Sequence, residues 1–186
     1  MRFQEVQADA SFRNGKTVVT MVAGFRYQKD QDTLIKAFQY LPTEQYELWL
    51  VGDGERRSTL EDLVSRLGIL ENVRFWGIRS DIPVLLKSSD IIVMSSHFEG
   101  LSLSSIEGMA VDRPFIASDV DGLHEITKNA GILFPHGDAK ALANIILRLK
   151  EEPYYRQIAD RCQQRASKYD IRKTVTAYLE IYKQLV

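Results

Sequence analysis

The chain has 186 residues, which fits one domain able to bury most of the surface its unfolded form exposes. Its 24 Lys+Arg stand against 25 Asp+Glu, and no basic run is available to neutralise a nucleic-acid backbone, so nucleic acid is excluded as a partner. The single Cys162 can close no internal disulfide and has no companions for a metal site; with no signal peptide and no stretch long enough to cross a bilayer, the expectation is a soluble, cytoplasmic protein.

Residues 1–16 are polar and aperiodic and read as a linker from something upstream. Strand-length apolar runs follow at Thr17–Ala23, Glu47–Gly52, Val73–Gly77, Asp90–Ser95, Pro114–Ser118 and Gly131–Phe134. Helical patterns fall between them. Leu34, Ile35, Ala37, Phe38 and Leu41 form one stripe that ends at Pro42, and Leu60, Leu63, Val64 and Leu67 form another that ends at Gly68. Further helices are expected at Ile82–Lys87, Ser102–Ala110 and Ala139–Glu151, with a short turn around Leu123–Thr127. Two more close the chain, Pro153–Lys168 and Ile171–Val186, the second capped by Asp170 and carrying Ile171, Val175, Tyr178, Leu179 and Tyr182 on one face. Strand then helix, repeated, predicts an α/β fold: a doubly wound parallel sheet of six strands with helices on both faces and the last helices appended. The expected strand order is 3-2-1-4-5-6.

The most informative stretch is Glu99-Gly100-Leu101-Ser102-Leu103-Ser104-Ser105-Ile106-Glu107, where the strand Ile91-Ile92-Val93-Met94 gives way through a Gly-containing turn to a helix. That arrangement can aim one carboxylate off the loop and the other from two turns up the helix, both toward the carboxyl edge of the sheet, where open α/β sheets bind ligands. Carboxylates are acceptor-only groups, suited to the hydroxyl pairs of a sugar or a ribose. Free N–H groups of Leu101, Ser102, Leu103 and Ser104 at the helix start favour an anion. Sugar, ribose and phosphate together describe a nucleotide sugar.

Six segments in order carry a resemblance: Lys29-Asp30-Gln31-Asp32-Thr33-Leu34-Ile35-Lys36-Ala37-Phe38, Leu50-Val51-Gly52-Asp53-Gly54, Asn72-Val73-Arg74-Phe75-Trp76-Gly77, Asp90-Ile91-Ile92-Val93-Met94, the Glu99 to Glu107 stretch, and Pro114-Phe115-Ile116-Ala117-Ser118-Asp119. From about Val18 onward the chain resembles the carboxyl-terminal, donor-binding half of the retaining GT-B glycosyltransferases of the Glu-x7-Glu type, the glycosyl transferases group 1. The resemblance implies a Rossmann-like half of a GT-B fold over residues 17–186, with an acceptor-binding domain missing before it. It implies transfer of a sugar from a nucleoside-diphosphate sugar to an acceptor hydroxyl with retention, in cell-surface polysaccharide or glycolipid synthesis. The donor is a substrate, and neither cofactor nor metal is implied. Any peripheral membrane association of the full-length enzyme would come through the missing half. Alternatives of the same fold are a standalone nucleotide-sugar-binding module and a nucleotide-sugar epimerase or hydrolase.

By the same resemblance Glu107 would hold the ribose hydroxyls, while Glu99 and the backbone after Gly100 would orient the transferred sugar. Lys29 would approach the pyrophosphate, and backbone groups at Ile78 and Arg79 would read the base. Gly52-Asp53-Gly54 would form a tight turn near the same crevice. This sequence departs from the family pattern at two points. Gly24 stands where the family commonly has an Arg five residues before Lys29, and Arg26 is expected to supply that phosphate contact. Asp112 replaces the usual Gly in the turn before the fifth strand, and Asp tolerates the left-handed conformation better than most residues.

Two other signals are weaker. Asp119-Val120-Asp121 has the form of a metal-holding triplet from a different fold, and Gly52-Asp53-Gly54 lacks the third glycine of a dinucleotide fingerprint, with Arg57 in its place. His97, His124 and His136 fall on separate loops. His97, two residues from Glu99, lines the crevice or is an ordinary solvated residue; His124 and His136 read as ordinary.

Overall fold

The computed structural model describes Asp9 and residues 14–184, with the side chain of Thr174 left aside. Most of the expected linker, residues 1–8 and 10–13, lies outside the described residues, as do the last two positions of the expected final helix. Six strands alternate with helices: β1 (Thr17–Val22), α1 (Gln31–Ala37), β2 (Tyr46–Val51), α2 (Arg57–Arg66), β3 (Val73–Gly77), α3 (Ile82–Ser88), β4 (Ile91–Met94), α4 (Leu103–Met109), β5 (Phe115–Ser118), α5 (Leu123–Thr127), β6 (Ile132–Phe134) and α6 (Ala139–Arg148). Two helices complete the chain, α7 (Glu152–Ala166) and α8 (Ile171–Gln184).

The sheet order is β3-β2-β1-β4-β5-β6, with every neighbouring pair parallel, and it matches the order expected from sequence. Thr20 at the centre of β1 pairs with Trp49 of β2 on one side and Ile92 of β4 on the other. The direction of winding reverses there, so a crevice opens at the carboxyl ends of these two strands. Every residue of β2, β4 and β5 is buried. That is the pattern of strands covered by helices on both faces, and it explains why they read as continuous apolar runs instead of alternating ones.

The core is unequal on the two faces. A small cluster of Val18, Trp49, Val51 and Leu85 lies beneath α3, while the larger one runs from Phe38 and Leu34 through Phe115 to Cys162 of α7. Burial pushes the Cys162 thiol up to about 12, so it stays protonated as a small core hydrophobe. Asp170 accepts a bond from the Arg172 amide at the start of α8, the cap expected of it. The expected apolar stripe of α8 is present but uncovered: Ile171, Val175, Tyr178, Leu179 and Tyr182 are all exposed. Among the described residues no helix is long and apolar enough to cross a membrane.

Candidate functional site

Because all six strands run the same way, the loops after β1, β3 and β4 emerge on one edge of the sheet. Those loops carry Arg26 and Lys29, then Ile78 and Arg79, then Glu99 to Ser102. One local device fixes the first of them. A side-chain Cβ at Gly54 would fall 2.5 Å from the carbonyl oxygen of Phe25, and one at Gly52 would fall 2.1 Å from that of Ala23. Only glycine therefore lets the loop after β2 press against the loop after β1, where Phe25 donates its amide to Asp53 and Arg56 donates its own to Phe25. The Gly52-Asp53-Gly54 turn is thus a buttress under Arg26 and Lys29.

The β1 loop is also laced to the β4 loop. The His97 amide donates to the Gln28 carbonyl at 2.8 Å, and the Gln28 side chain donates to the Phe98 carbonyl at 2.9 Å. Across this seam Lys29 Nζ meets Glu99 Oε1 at 2.5 Å, and Ser96 Oγ donates to the same oxygen at 2.7 Å. The Glu99 side chain is only 7% exposed. Beneath it, Gly122 takes a left-handed φ of 80°, and a Cβ there would sit 2.1 Å from the Glu99 carbonyl oxygen. Neither Ser96 nor Gly122 is distinguishable in sequence from an ordinary serine after a strand or glycine in a turn.

The helix after this loop starts at Leu103, one residue later than the sequence pattern predicts, because Ser102 serves as its N-cap and accepts from the Ser105 amide at 3.3 Å. The amides of Leu103 and Ser104 precede any intrahelical partner. Leu101 and Leu103 are exposed. Glu107 sits half-buried on the second turn of α4, and desolvation raises its pKa above the ordinary carboxylate value. Among the described residues its carboxylate has no hydrogen-bond or ion-pair partner.

Arg26 is exposed, and its Nε lies 3.9 Å from where a Gly24 Cβ would be. The guanidinium thus extends back over the position where the family commonly has its arginine. Ile78 is 85% exposed, whereas the Arg79 guanidinium is committed to Asp81, with bonds of 2.8 and 2.6 Å, and lies over the Trp76 ring. Asp112 adopts φ 60°, the left-handed turn anticipated for it. Asp119 pairs with His124 at 2.5 Å, and Asp121 offers its backbone carbonyl to the Glu99 amide at 3.4 Å. His136, read from sequence as ordinary, instead touches His97 across 39 residues of chain. A separate cavity of about 440 Å³, lined by Tyr46, Asp90, Arg113 and Tyr155, opens at the amino ends of β1 and β4, the opposite edge from these loops.

A family model described as Glycosyl transferases group 1 matches residues 3–169, and the chain belongs to that family. It is 28% identical over 183 residues to the N-acetyl-alpha-D-glucosaminyl L-malate synthase of Bacillus anthracis, covering 96% of this chain and 48% of that protein. It is 32% identical over 168 residues to the lipopolysaccharide core biosynthesis glycosyltransferase LpsE of Rhizobium meliloti (strain 1021), covering 88% of this chain and 49% of that one. Among solved structures, Anabaena Alr3699/HepE in complex with UDP-glucose is similar with a TM-score of 0.86 and 27% identity, over 100% of this chain and 55% of the other. The chain spans about half the length of the curated relatives it matches.

Proposed function

We propose that residues 17–186 are the donor-binding half of a retaining glycosyltransferase, which passes a sugar from a nucleoside diphosphate to an acceptor hydroxyl presented by a second domain. The observation that carries this reading is the contact of Lys29 with Glu99 on the same sheet edge as Glu107, a half-buried carboxylate without a partner among the described residues. Ribose hydroxyls supply the donors that Glu107 lacks. A sugar hydroxyl and a phosphate oxygen can together replace the Lys29–Glu99 contact, so that neither charge is left unpaired as the donor enters. Charge then builds on the departing diphosphate, where Lys29 and the nearby Arg26 oppose it. Glu99 fixes the sugar and favours an oxocarbenium-like state at the anomeric carbon. The backbone at Ile78 and Arg79 contacts the base, and the segment Gly100-Leu101-Ser102-Leu103 closes on the sugar and phosphate.

The UDP-glucose complex of the HepE neighbour supports a nucleotide-sugar donor. Relatives named for lipopolysaccharide core biosynthesis support an acceptor in cell-surface polysaccharide or glycolipid synthesis. The relatives' twofold greater length supports a preceding acceptor-binding domain, with residues 1–16 as its linker. The test is a thermal-shift panel of uridine, guanosine and adenosine diphosphates and their sugar conjugates. At ten times its dissociation constant the cognate ligand stabilises the fold by about 1.4 kcal/mol, a melting shift of about 3–6 °C for a domain of this size. No shift with any of them at millimolar concentration overturns the donor-site reading.

A further inference from the structure

Three loops that the sequence keeps far apart bring Asp30, His97 and His136 together at the carboxyl edge, after β1, β4 and β6 respectively. His97 Nδ1 and His136 Nε2 approach to 2.5 Å, and Asp30 Oδ2 lies 3.9 Å from each of them. An N–H···N bond accounts for the imidazole pair, and Asp30 caps α1 by accepting from the Thr33 amide at 3.3 Å; the cap also leaves Asp30 Oδ2 equidistant from both imidazole nitrogens and bonded to neither. The point equidistant from all three atoms lies about 2.1 Å from each, the length of a zinc–imidazole or zinc–carboxylate bond. We propose that Asp30, His97 and His136 bind a divalent transition ion of the zinc class, through Oδ2, Nδ1 and Nε2, with a fourth position left to solvent.

The surroundings suit such a site. Asp30 is held in a left-handed conformation at φ 46°, its Oδ2 accepts from Thr33 Oγ1 at 2.6 Å, and its carbonyl accepts from Ser95 Oγ at 2.8 Å. A carboxylate oxygen that accepts one hydroxyl keeps a lone pair for the ion, and such supporting bonds are what fix a ligand's direction. His97 is fixed through its amide bond to Gln28 and by the Tyr27 ring, whose centroid lies 4.5 Å away. His136 is the more exposed of the two histidines at 39%, and it follows β6 just before Gly137, which has φ 76°. A tetrahedral ion with bonds near 2.05 Å needs roughly 3.3 Å between each pair of ligand atoms, so a small swing of that ring must open the imidazole pair from 2.5 Å while Asp30 Oδ2 draws in from 3.9 Å. In the bound form His97 carries its proton on Nε2 and His136 on Nδ1, leaving both converging nitrogens as lone-pair donors. Two imidazoles and one carboxylate select zinc-class ions over magnesium or calcium. The ion is a staple between three loops and takes no part in sugar transfer, so the site stands or falls independently of the donor reading.

The test titrates the untagged full chain with Zn²⁺ alone against a chromophoric chelator, and with Co²⁺ monitored by its visible d–d absorption. One equivalent should bind with a micromolar or tighter dissociation constant, and Co²⁺ should give an intense tetrahedral-type band. His97→Gln and His136→Gln should each weaken binding tenfold or more, while His124→Gln should leave it unchanged. Far-UV circular dichroism confirms that each variant is folded, and the exposure of His136 makes its replacement safe for the fold. Absence of binding at 100 µM Zn²⁺ overturns the proposal. So does binding that survives the double His97→Gln/His136→Gln variant, or that follows His124.

Discussion

Lys29 and Glu99, 70 residues apart, close a 2.5 Å ion pair between the loops after β1 and β4. The pair ties the stability of the candidate site to its chemistry, because Glu99 is nearly buried and depends on Lys29 for its countercharge. Lys29→Met should leave Glu99 with only Ser96 as a side-chain partner among the described residues and cost about 1–3 kcal/mol, less than for a fully buried pair because Lys29 is partly exposed. Adding Glu99→Gln should restore part of that loss. Nucleoside-diphosphate affinity should fall about ten- to a hundredfold in Lys29→Met, as for loss of a charge-assisted contact of 1.5–3 kcal/mol, and should not recover in the double variant. Urea unfolding and calorimetry separate the two readouts. If the double variant is no more stable than Lys29→Met, the pair is not what holds Glu99 in place.

Gly122 offers a test through backbone alone. A methyl group there meets the Glu99 carbonyl oxygen at 2.1 Å and must also be borne at a φ of 80°, which L side chains rarely adopt. Gly122→Ala should therefore cost about 2 kcal/mol or more, lowering the melting temperature by about 4–8 °C. Gly100, next to Glu99 on the loop after β4, has open space where its Cβ would be. Gly100→Ala should stay within about 0.5 kcal/mol of the parent. Equal melting temperatures for the two variants would show that the Gly122 contact relaxes without consequence.

The pair Asp32–Arg56 predicts a specific acid lability. Arg56 donates two bonds to the Asp32 carboxylate, at 2.6 and 3.1 Å, joining α1 to the turn before α2. Burial raises the Asp32 pKa, but the Arg56 hydrogen bonds and charge outweigh it and hold the carboxyl below its ordinary value. A depressed folded-state pKa contributes stability that is fully present above the unfolded value, near 3.9, and is lost as pH falls through the folded value. Asp32→Asn should thus destabilise the domain by about 1 kcal/mol at pH 7, and the difference from the parent should shrink below about pH 4. Denaturant midpoints at pH 7, 5 and 3 check this. A difference that persists unchanged at pH 3 would mean the loss is one of packing.

Much of the architecture was legible because its cause is local. The continuous apolar runs of β2, β4 and β5 mark strands covered on both faces, and Asp170 marks a helix start by its capping chemistry, whereas the sequence pattern takes Ser102, the cap of α4, for the first residue of its helix. Even the unusual turn at Asp112 followed from what an aspartate backbone tolerates. What escaped was long-range juxtaposition. The roles of Gly54 against Phe25 and of Gly122 against Glu99 depend on backbones that meet only after the sheet is assembled. The His97–His136 contact joins loops after β4 and β6, and no spacing within either loop signals it. The family pattern pointed to Lys29 and Glu99 as separate ligands of a donor, but not to their pairing with each other.

Glu107→Gln should separate binding from folding in opposite directions. Burial raises the Glu107 pKa, so ionising it in the folded state has a cost that the glutamine variant does not carry. Without nucleotide, the variant should be as stable as the parent or slightly more so at pH 7, and this margin should disappear as pH falls and the parent carboxyl takes up its proton. The sign follows from linkage: a raised folded-state pKa gives stability that is present at low pH and lost as pH rises through that value. With nucleotide the order should reverse. Losing charge-assisted bonds to two ribose hydroxyls costs about 1.5–3 kcal/mol, or about ten- to a hundredfold in affinity, so the ligand-induced melting shift should shrink or vanish. A deoxyribose analogue should bind the parent more weakly yet lose little further in the variant, since both changes remove the same bonds. Equal nucleotide affinity in parent and variant would reduce Glu107 to a residue of the helix surface.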